Sequence, residues 1–336
     1  MYEVVAIHDH MRWQKILDLF QVTDIYYTSQ YFLSAMKLDP GESMMFYYND
    51  EEGEVVYPFI KRRIENDAPG YFDITTPFGY GGPLLKTKNN ASKLTANFLH
   101  EFSAFCEKEK IIAEFIRFHP LKNNALIFEK QLKLLPMYET FAIKLDLQDQ
   151  QPKEQEDKDE RSNGENGVVI KKLGTVRHMF EFLVLYYSTV RRREDADSYY
   201  FFTNDYFETL ISSLGPNLHL FGAYCENKLV SACYVLTMGD TIYHHLDGSL
   251  EEAEDSNAMK ALLLKIAEWG KENSFTFFHL GSDFKGEGRN ISGLKKGIAN
   301  QEPSTFYICE KVHDTSIYKK LISIEEIDVI KRYRNV

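Results

Sequence analysis

The chain has 336 residues, 44% of them hydrophobic, and a formal net charge of −11. That length suits two domains rather than one, and the acidic balance is the opposite of what a DNA-binding face needs. No apolar run reaches the eighteen or so residues that cross a bilayer, so neither a DNA partner nor a transmembrane segment is expected.

The start, Met1-Tyr2-Glu3-Val4-Val5, lacks the charged and apolar regions of a signal peptide, which makes the cytoplasm the expected compartment. The cysteines are Cys106, Cys225, Cys233 and Cys309. With no Cys-x-x-Cys and no clustering with histidine, they read as reduced, buried thiols, and no metal site is expected.

Trp13, Ile16, Leu17 and Phe20 recur at helical spacing, so Asp9–Phe20 is predicted as an amphipathic helix. Thr28 is placed to cap the next helix, with Phe32, Ala35 and Met36 inward. Met44–Tyr48 and Glu54–Lys61 read as strands around a polar, glycine-containing turn, and Tyr71–Thr75 as a third. That strand runs into Phe78-Gly79-Tyr80-Gly81-Gly82-Pro83. Glycines there, Gly81 among them, let the backbone approach a ligand or simply form a tight loop. Ser92 is the expected cap of a helix with Leu94, Phe98, Phe102 and Phe105 on one face. Ile111–Phe118 and Phe141–Leu147 are strands, and Arg117 and His119 leave the end of the first, where sites form in open sheets. His119 also suits a satisfied core position.

Asp146–Gly167 carries eight acids and three bases, a net of −5, which leaves −6 for the rest. Gln148–Gly167 has nothing to bury and is expected to be a linker. The domain organisation is therefore 1–147, an acidic linker 148–167, and 168–336. Past the linker come strand Val168–Ile170, helix His178–Val190 ending in Arg191-Arg192-Arg193, and helix Asn204–Leu214 stopped by Gly215-Pro216. Strands Leu218–Cys225, Lys228–Met238 and Asp240–Leu246 follow. A helix over Asn257–Glu272, capped by Ser256, leads into the strand Phe275–Leu280, and Ser323-x-x-Glu326 opens a last helix. Three consecutive cations exceed what a helix C-terminus needs, which puts one of them, Arg192 first, in a site. Both halves repeat helices, antiparallel strands, helix, strands: an α/β (α+β) chain with mixed, mostly antiparallel sheets.

Tyr243-His244-His245-Leu246-Asp247-Gly248-Ser249, the Leu280-Gly281 strand end and Leu294-Lys295-Lys296-Gly297-Ile298 resemble the FemA/FemB/FemX family. These peptidoglycan bridge-forming aminoacyltransferases belong to the wider GNAT superfamily. Their motifs are Tyr-x-His-Leu-x-Gly-Ser, Leu-Gly-Gly and Phe-Lys-x-x-Phe; here Ser282 replaces the second glycine and leucine and isoleucine replace the two phenylalanines. Tyr186-x-x-Thr189-x-x-Arg192 and Tyr200-Phe201 extend the resemblance. It implies two tandem GNAT-like acyltransferase domains and aminoacyl transfer from aminoacyl-tRNA to an amine of a peptidoglycan precursor, in the shorter FemX-like form. It also implies an arginine, here Arg192, on the phosphate side of the substrate, which guanidinium geometry suits.

Acyl transfer to an amine needs an oriented donor, oxyanion stabilisation and a proton acceptor, not a protein nucleophile. Lys295 is the expected cation and Tyr243 the expected positioning hydroxyl, with Tyr187 second and Arg192, Arg117 and Gly81 binding substrate. Ser282, His279 and Asp283 lack a nucleophile-elbow context. His244 and His245, as strand neighbours, point to opposite faces. No resident cofactor is expected; aminoacyl-tRNA is the co-substrate. The alternatives are an acyl-CoA- or carrier-dependent N-acyltransferase for another small amine and a non-catalytic GNAT-like binding module. Glu251–Lys260 has no Arg/Gln-x-x-Gly-x-Gly/Ala loop for a CoA pyrophosphate, which argues against acyl-CoA.

Overall fold

Strand pairing in the first unit begins at the terminus. In the computed structural model, which describes residues 1–64, 69–145, 167–192, 198–251, 257–282 and 293–321, β1 (Tyr2–Ala6) pairs antiparallel with β2 (Glu42–Asp50), Tyr2 opposite Tyr48. β2 pairs with β3 (Gly53–Arg63) through the turn Glu51–Glu52, where Asp50 Oδ1 accepts from the Glu52 and Gly53 amides. β4 (Phe72–Thr75) and β5 (Leu84–Thr87) both pair with β3, and β4 runs parallel to β6 (Ile111–Arg117). Helix α3 (Ala91–Lys108) lays Leu94, Phe98, Phe102 and Phe105 on Phe46, Tyr57 and Phe59. Its cap is Asn90, whose side chain accepts from the Lys93 amide, not Ser92; the helix begins one turn earlier than its apolar face. Helix α1 (His10–Leu19) and helix α2 (Ser29–Ala35, capped by Thr28 as expected) bury Trp13 against Phe32, and the indole N–H donates to the Tyr27 carbonyl.

The first unit comprises Met1–Tyr138, Phe202–Ser213 and Ser304–Val336, the second Glu139–Phe201 and Leu214–Pro303. The compact units thus draw segments from both sides of the 147/168 division. The expected linker 148–167 lies outside the described residues except for Gly167, as do Arg193, Ser256 and the Ser323 capping box. Strand β7 (Leu134–Lys144) is divided between the units at Tyr138/Glu139. Helix α5 (Asn204–Leu214) gives the first unit Tyr206 and Phe207, both buried.

The first unit is completed by β13 (Ser304–Val312), antiparallel to β6 with Ile308 opposite Arg117. The buried Glu114 carboxylate locks that junction: it accepts from Tyr57 Oη at 3.0 Å and pairs with His313 Nε2 at 2.9 Å. Burial pushes the Glu114 pKa up, and the His313 hydrogen bond together with the nearby cationic charge outweighs it, so the net shift is downward. Helix α8 (Thr315–Leu321) then buries Tyr318 and Leu321 against Ile64 and Ile112.

The second unit orders residues 139–144 of β7, β12 (Phe277–Gly281), β11 (Thr241–Ser249), β10 (Lys228–Met238), β9 (Leu218–Cys225) and β8 (Val168–Leu173) side by side. Alternation on β10 sorts the faces. Cys233 and Val235 meet Leu262, Leu263 and Ile266 of α6 (Ala258–Glu272), while Tyr234 meets Phe182 of α4 (Val176–Arg191) on the other face. Cys106, Cys233 and Cys309 are buried and every cysteine is free, in line with the reading of them as thiols.

Candidate functional site

Strand β11 is parallel to β12 only from Thr241 to Tyr243, opposite Phe277 to His279. Past that point β11 continues to Ser249 while β12 ends at Gly281. The pairing therefore stops at Tyr243, and β11 keeps its partner only on the β10 side. A parallel pair that parts in this way leaves backbone donors and acceptors facing the gap, where an extended ligand can pair.

The register of β11 with β10 slips here. Leu246 faces Tyr234 and His244 faces Val235, so His245 is an extra residue without a cross-strand partner. Such a bulge shifts the alternation by one. In an unbroken strand His244 and Asp247, three apart, would lie on opposite faces. With the bulge both lie on the α6 face, His244 beside Val235 and Asp247 beside Cys233. Sequence reasoning expected strict alternation across His244-His245, and nothing in the residue pattern marks the slip.

Lys295 joins this face. The short helix α7 (Leu294–Ile298) packs Leu294 and Ile298 on the second core. Asn300 then ties the chain to β7: its Oδ1 accepts from the Lys144 amide at 2.7 Å, and its Nδ2 donates to the Lys144 carbonyl at 3.1 Å. Lys295 Nζ is thereby set 3.5 Å from His244 Nδ1, whose Nε2 lies 3.6 Å from Asp247 Oδ1. Burial first, then the Lys295 charge, drive the His244 pKa down to about 3, against a smaller opposing pull from Asp247. The imidazole is therefore neutral at physiological pH. Its Nδ1 accepts from the Lys295 ammonium, which leaves the ring proton on Nε2. His245 is likewise depressed to about 3, by burial and then by His244.

Tyr243 is buried on the α4 face with its ring 6.0 Å from that of His279, at the apex where the strands part. Gly248 is on that face too. A Cβ there would stand 2.5 Å from the Tyr186 nitrogen and 2.6 Å from the Leu185 carbonyl carbon, so the glycine lets the α4 backbone touch the strand. Beside it Thr189 Oγ1 accepts the Ser249 amide at 2.8 Å and shares its own proton between the Leu185 and Ser249 carbonyls, at 2.9 and 3.1 Å. Arg192 donates to the same carbonyl at 2.6 Å and to Ser188 Oγ at 2.8 Å.

The structure thus gathers Lys295, His244 and Asp247, and on the opposite face of β11 it gathers Tyr243, Gly248 and Arg192. The Arg192 and Lys295 anchor points, Ser249 and His244, are five residues apart on a strand rising about 3.3 Å per residue, too far for one phosphate to bridge. Tyr187 lies elsewhere on α4: five residues at about 100° each put it some 140° around the helix from Arg192, half-buried against Tyr186.

In the first unit Arg117 donates to Thr75 Oγ1 and the Thr76 carbonyl, both at 3.0 Å, and stacks on Phe115. Gly81 is buried. Its carbonyl accepts from Tyr27 Oη at 2.8 Å and Asn124 Nδ2 at 2.9 Å, which makes the Phe78–Pro83 loop a packed element. His119 pairs with Asp24 at 3.0 Å in the same interior, as the core reading of it expected. Among the described residues no group of three or more His, Cys, Asp or Glu could hold a metal ion, and no helix is long and apolar enough to cross a membrane.

These features are those of a GNAT-type fold: a strand pair that parts beside a bulge, with helices on both faces. Residues 157–287 match the family model described as an acetyltransferase (GNAT) domain, so that stretch is a GNAT acyltransferase domain, in a chain of FemAB-like GNAT fold. No curated protein matches the chain by sequence. Among solved structures it is similar to FemX (TM-score 0.61, 11% identity, 96% of this chain and 99% of that one). It is also similar to a tandem GNAT protein from the clavulanic acid biosynthesis pathway (0.54, 10%, 94% and 100%). A third is L-PGS from Bacillus licheniformis (0.52, 11%, 93% and 94%). At these identities the likeness is one of fold.

Proposed function

We propose that the chain is a cytoplasmic, FemX-like aminoacyltransferase that moves an aminoacyl group from aminoacyl-tRNA to an amine of a peptidoglycan precursor. The observation that carries the choice of donor is the stretch Glu251–Lys260, between the end of β11 and the first turn of α6. It has no glycine and four acids, Glu251, Glu252, Glu254 and Asp255. A CoA pyrophosphate needs close backbone approach and positive potential at that place, and the sequence offers neither. The Tyr243–Ser249 and Leu294–Ile298 motifs support the family reading of the acceptor.

In the reaction the acceptor amine attacks the ester carbonyl of the donor. An amide bond forms, the ester C–O bond breaks, and the amine proton ends on the departing ribose hydroxyl. Lys295 stabilises the oxyanion as an ammonium ion. His244, held neutral, accepts one of its three N–H bonds at Nδ1 and fixes its direction, and Asp247 adds a negative charge near the ring. Tyr243 braces the strand at the apex. Loss of one oxyanion donor costs about 10²–10³ in kcat.

The test is amide formation by the full chain with charged total tRNA and a nucleotide-linked muramyl pentapeptide. Lys295→Ala should lose about 10²-fold or more in kcat. Micromolar binding of CoA by calorimetry, with no use of charged tRNA, would replace this reading with the acyl-CoA one.

A further inference from the structure

Helix α4 carries a feature that the acyl-transfer site does not use. Val176, Phe180 and Val184 follow one another at four-residue spacing, yet they are 71%, 51% and 67% exposed. At about 100° per residue, Val176, Tyr187, Phe180, Arg191, Val184 and Arg177 fall in that order within one arc of about 100°. The arc holds three exposed apolar side chains, a half-buried tyrosine, two exposed cations and no acid. The arc that adjoins it on the Val176 side, from Phe182 round to Leu183, holds Met179, Phe182, Leu183, Tyr186 and Val190 in the core. A core helix normally turns a polar face outward; this one turns out valines and a phenylalanine.

Its surroundings are cationic. Lys171 on β8 lies with its ammonium 5.2 Å over the Tyr224 ring, and Arg177 reaches Glu181 at 2.9 Å beside it. Residues 168–192 hold five Lys or Arg and one Glu, on a chain whose total is −11. Lys172 turns to the α6 face, over Trp269, and Arg192 to the Ser249 carbonyl; Lys171, Arg177 and Arg191 against Glu181 leave a net of +2 beside the exposed apolar residues.

We propose that this arc of α4 docks on an anionic lipid bilayer surface. Val176, Phe180 and Val184 enter the headgroup boundary, Tyr187 sits at that boundary with its hydroxyl toward water, and Lys171, Arg177 and Arg191 meet lipid phosphates. A second copy of the chain is the poorer occupant, because three side chains on one helix fall far short of the roughly 800 Å² per partner of a stable protein interface. A nucleic acid backbone would use the cations and leave the apolar residues without a partner. Docking of this kind needs no spanning helix and does not depend on the identity of the acyl donor.

The test is sedimentation of the full chain with vesicles of phosphatidylcholine alone and with about 30% phosphatidylglycerol, where each basic residue near the surface contributes roughly fivefold in affinity. The expected result is binding to the anionic vesicles only, weakening with added salt. Arg177→Gln should weaken it roughly fivefold. The triple substitution Val176→Ser, Phe180→Ser, Val184→Ser should abolish binding at an unchanged melting temperature. Should that protein not fold, Val184→Asp alone, at an exposed site, should weaken binding by the same criterion. Equal binding of wild type and variants, or no binding by either, overturns the proposal. A dimer in light scattering that the triple substitution removes assigns the arc to a second copy, and binding to an RNA duplex that Arg177→Gln weakens, without binding to vesicles, assigns it to nucleic acid; either result overturns it too.

Discussion

Replacing Gly248 by alanine should loosen the second unit at its site. The new Cβ would meet three backbone atoms of α4, the Tyr186 nitrogen at 2.5 Å, the Leu185 carbonyl carbon at 2.6 Å and the Tyr186 Cα at 2.8 Å. Carbon contacts are comfortable at about 3.5–4.0 Å, so helix and strand must part by about 1 Å, and no side chain can rotate to absorb it. The Thr189 and Arg192 bonds to the Ser249 carbonyl, 3.1 and 2.6 Å long, would stretch to or past the limit of a useful hydrogen bond. Two such bonds at about 1 kcal/mol each and overpacking strain of about 1–3 kcal/mol give a loss of roughly 3–5 kcal/mol. The two tryptophans fall one in each unit, Trp13 in the first and Trp269 in the second. In a Trp13→Phe background the fluorescence of Trp269, packed against His219 and Phe221, reports the second unit alone during urea unfolding. A shift below about 0.5 kcal/mol, the range of an ordinary surface substitution, would refute the argument that α4 and β11 touch through their backbones here.

Three further outcomes follow from groups described above. The Glu114 pKa is lowered on folding, so its stabilisation is present above the unfolded value of about 4.3 and is lost as pH falls through the folded value; Trp13 fluorescence in a Trp269→Phe background should show the first unit weakening there. His313→Gln should cost about 3 kcal/mol or more at neutral pH and reverse the slope, since burial then dominates and protonating Glu114 relieves the cost. His219, His244 and His245 are depressed to about 4, 3 and 3, by burial first in each case. Their contribution is present above the unfolded value of about 6.5 and is lost as pH falls, and their imidazole C2–H proton resonances should still be those of neutral rings at pH near 5. Asn300→Ala removes both side-chain hydrogen bonds that tie the end of α7 to β7, so amide-forming activity should fall about tenfold through misplacement of Lys295, with a melting temperature lowered by only a few degrees.

The residue pattern carried most of the second unit's elements and the acyltransferase class. Trp13, Ile16 and Leu17 announced α1, Thr28 announced the cap of α2, and strands Leu218–Cys225 and Lys228–Met238 appeared where expected. Strands β1 and β5 escaped notice because each is short and has its meaning only in pairing, Tyr2 with Tyr48 and Leu85 with Val55. The Gly248 motif was legible as a motif, but its cause, an α4 backbone from sixty residues upstream, was not. Lys295 was readable as a cation beside a strand end. Its partner was not, because His244 and Asp247 share a face only through a bulge that no residue type marks. Nor does composition say which strand belongs to which unit, since long-range pairing decides it.

That last point bears on how the protein is made. The first unit lacks β13 until the ribosome has passed Val312, 195 residues after β6 ends at Arg117. At about 5–20 residues per second that delay is roughly 10–40 s. Through it the β6 edge waits with Glu114 and Tyr57 in place and His313 not yet synthesised, and the second unit's segments emerge in full first. The amino-terminal part of the chain is therefore the last to finish folding, and a nascent chain arrested near residue 300 would present an open strand edge to chaperones and to other nascent chains.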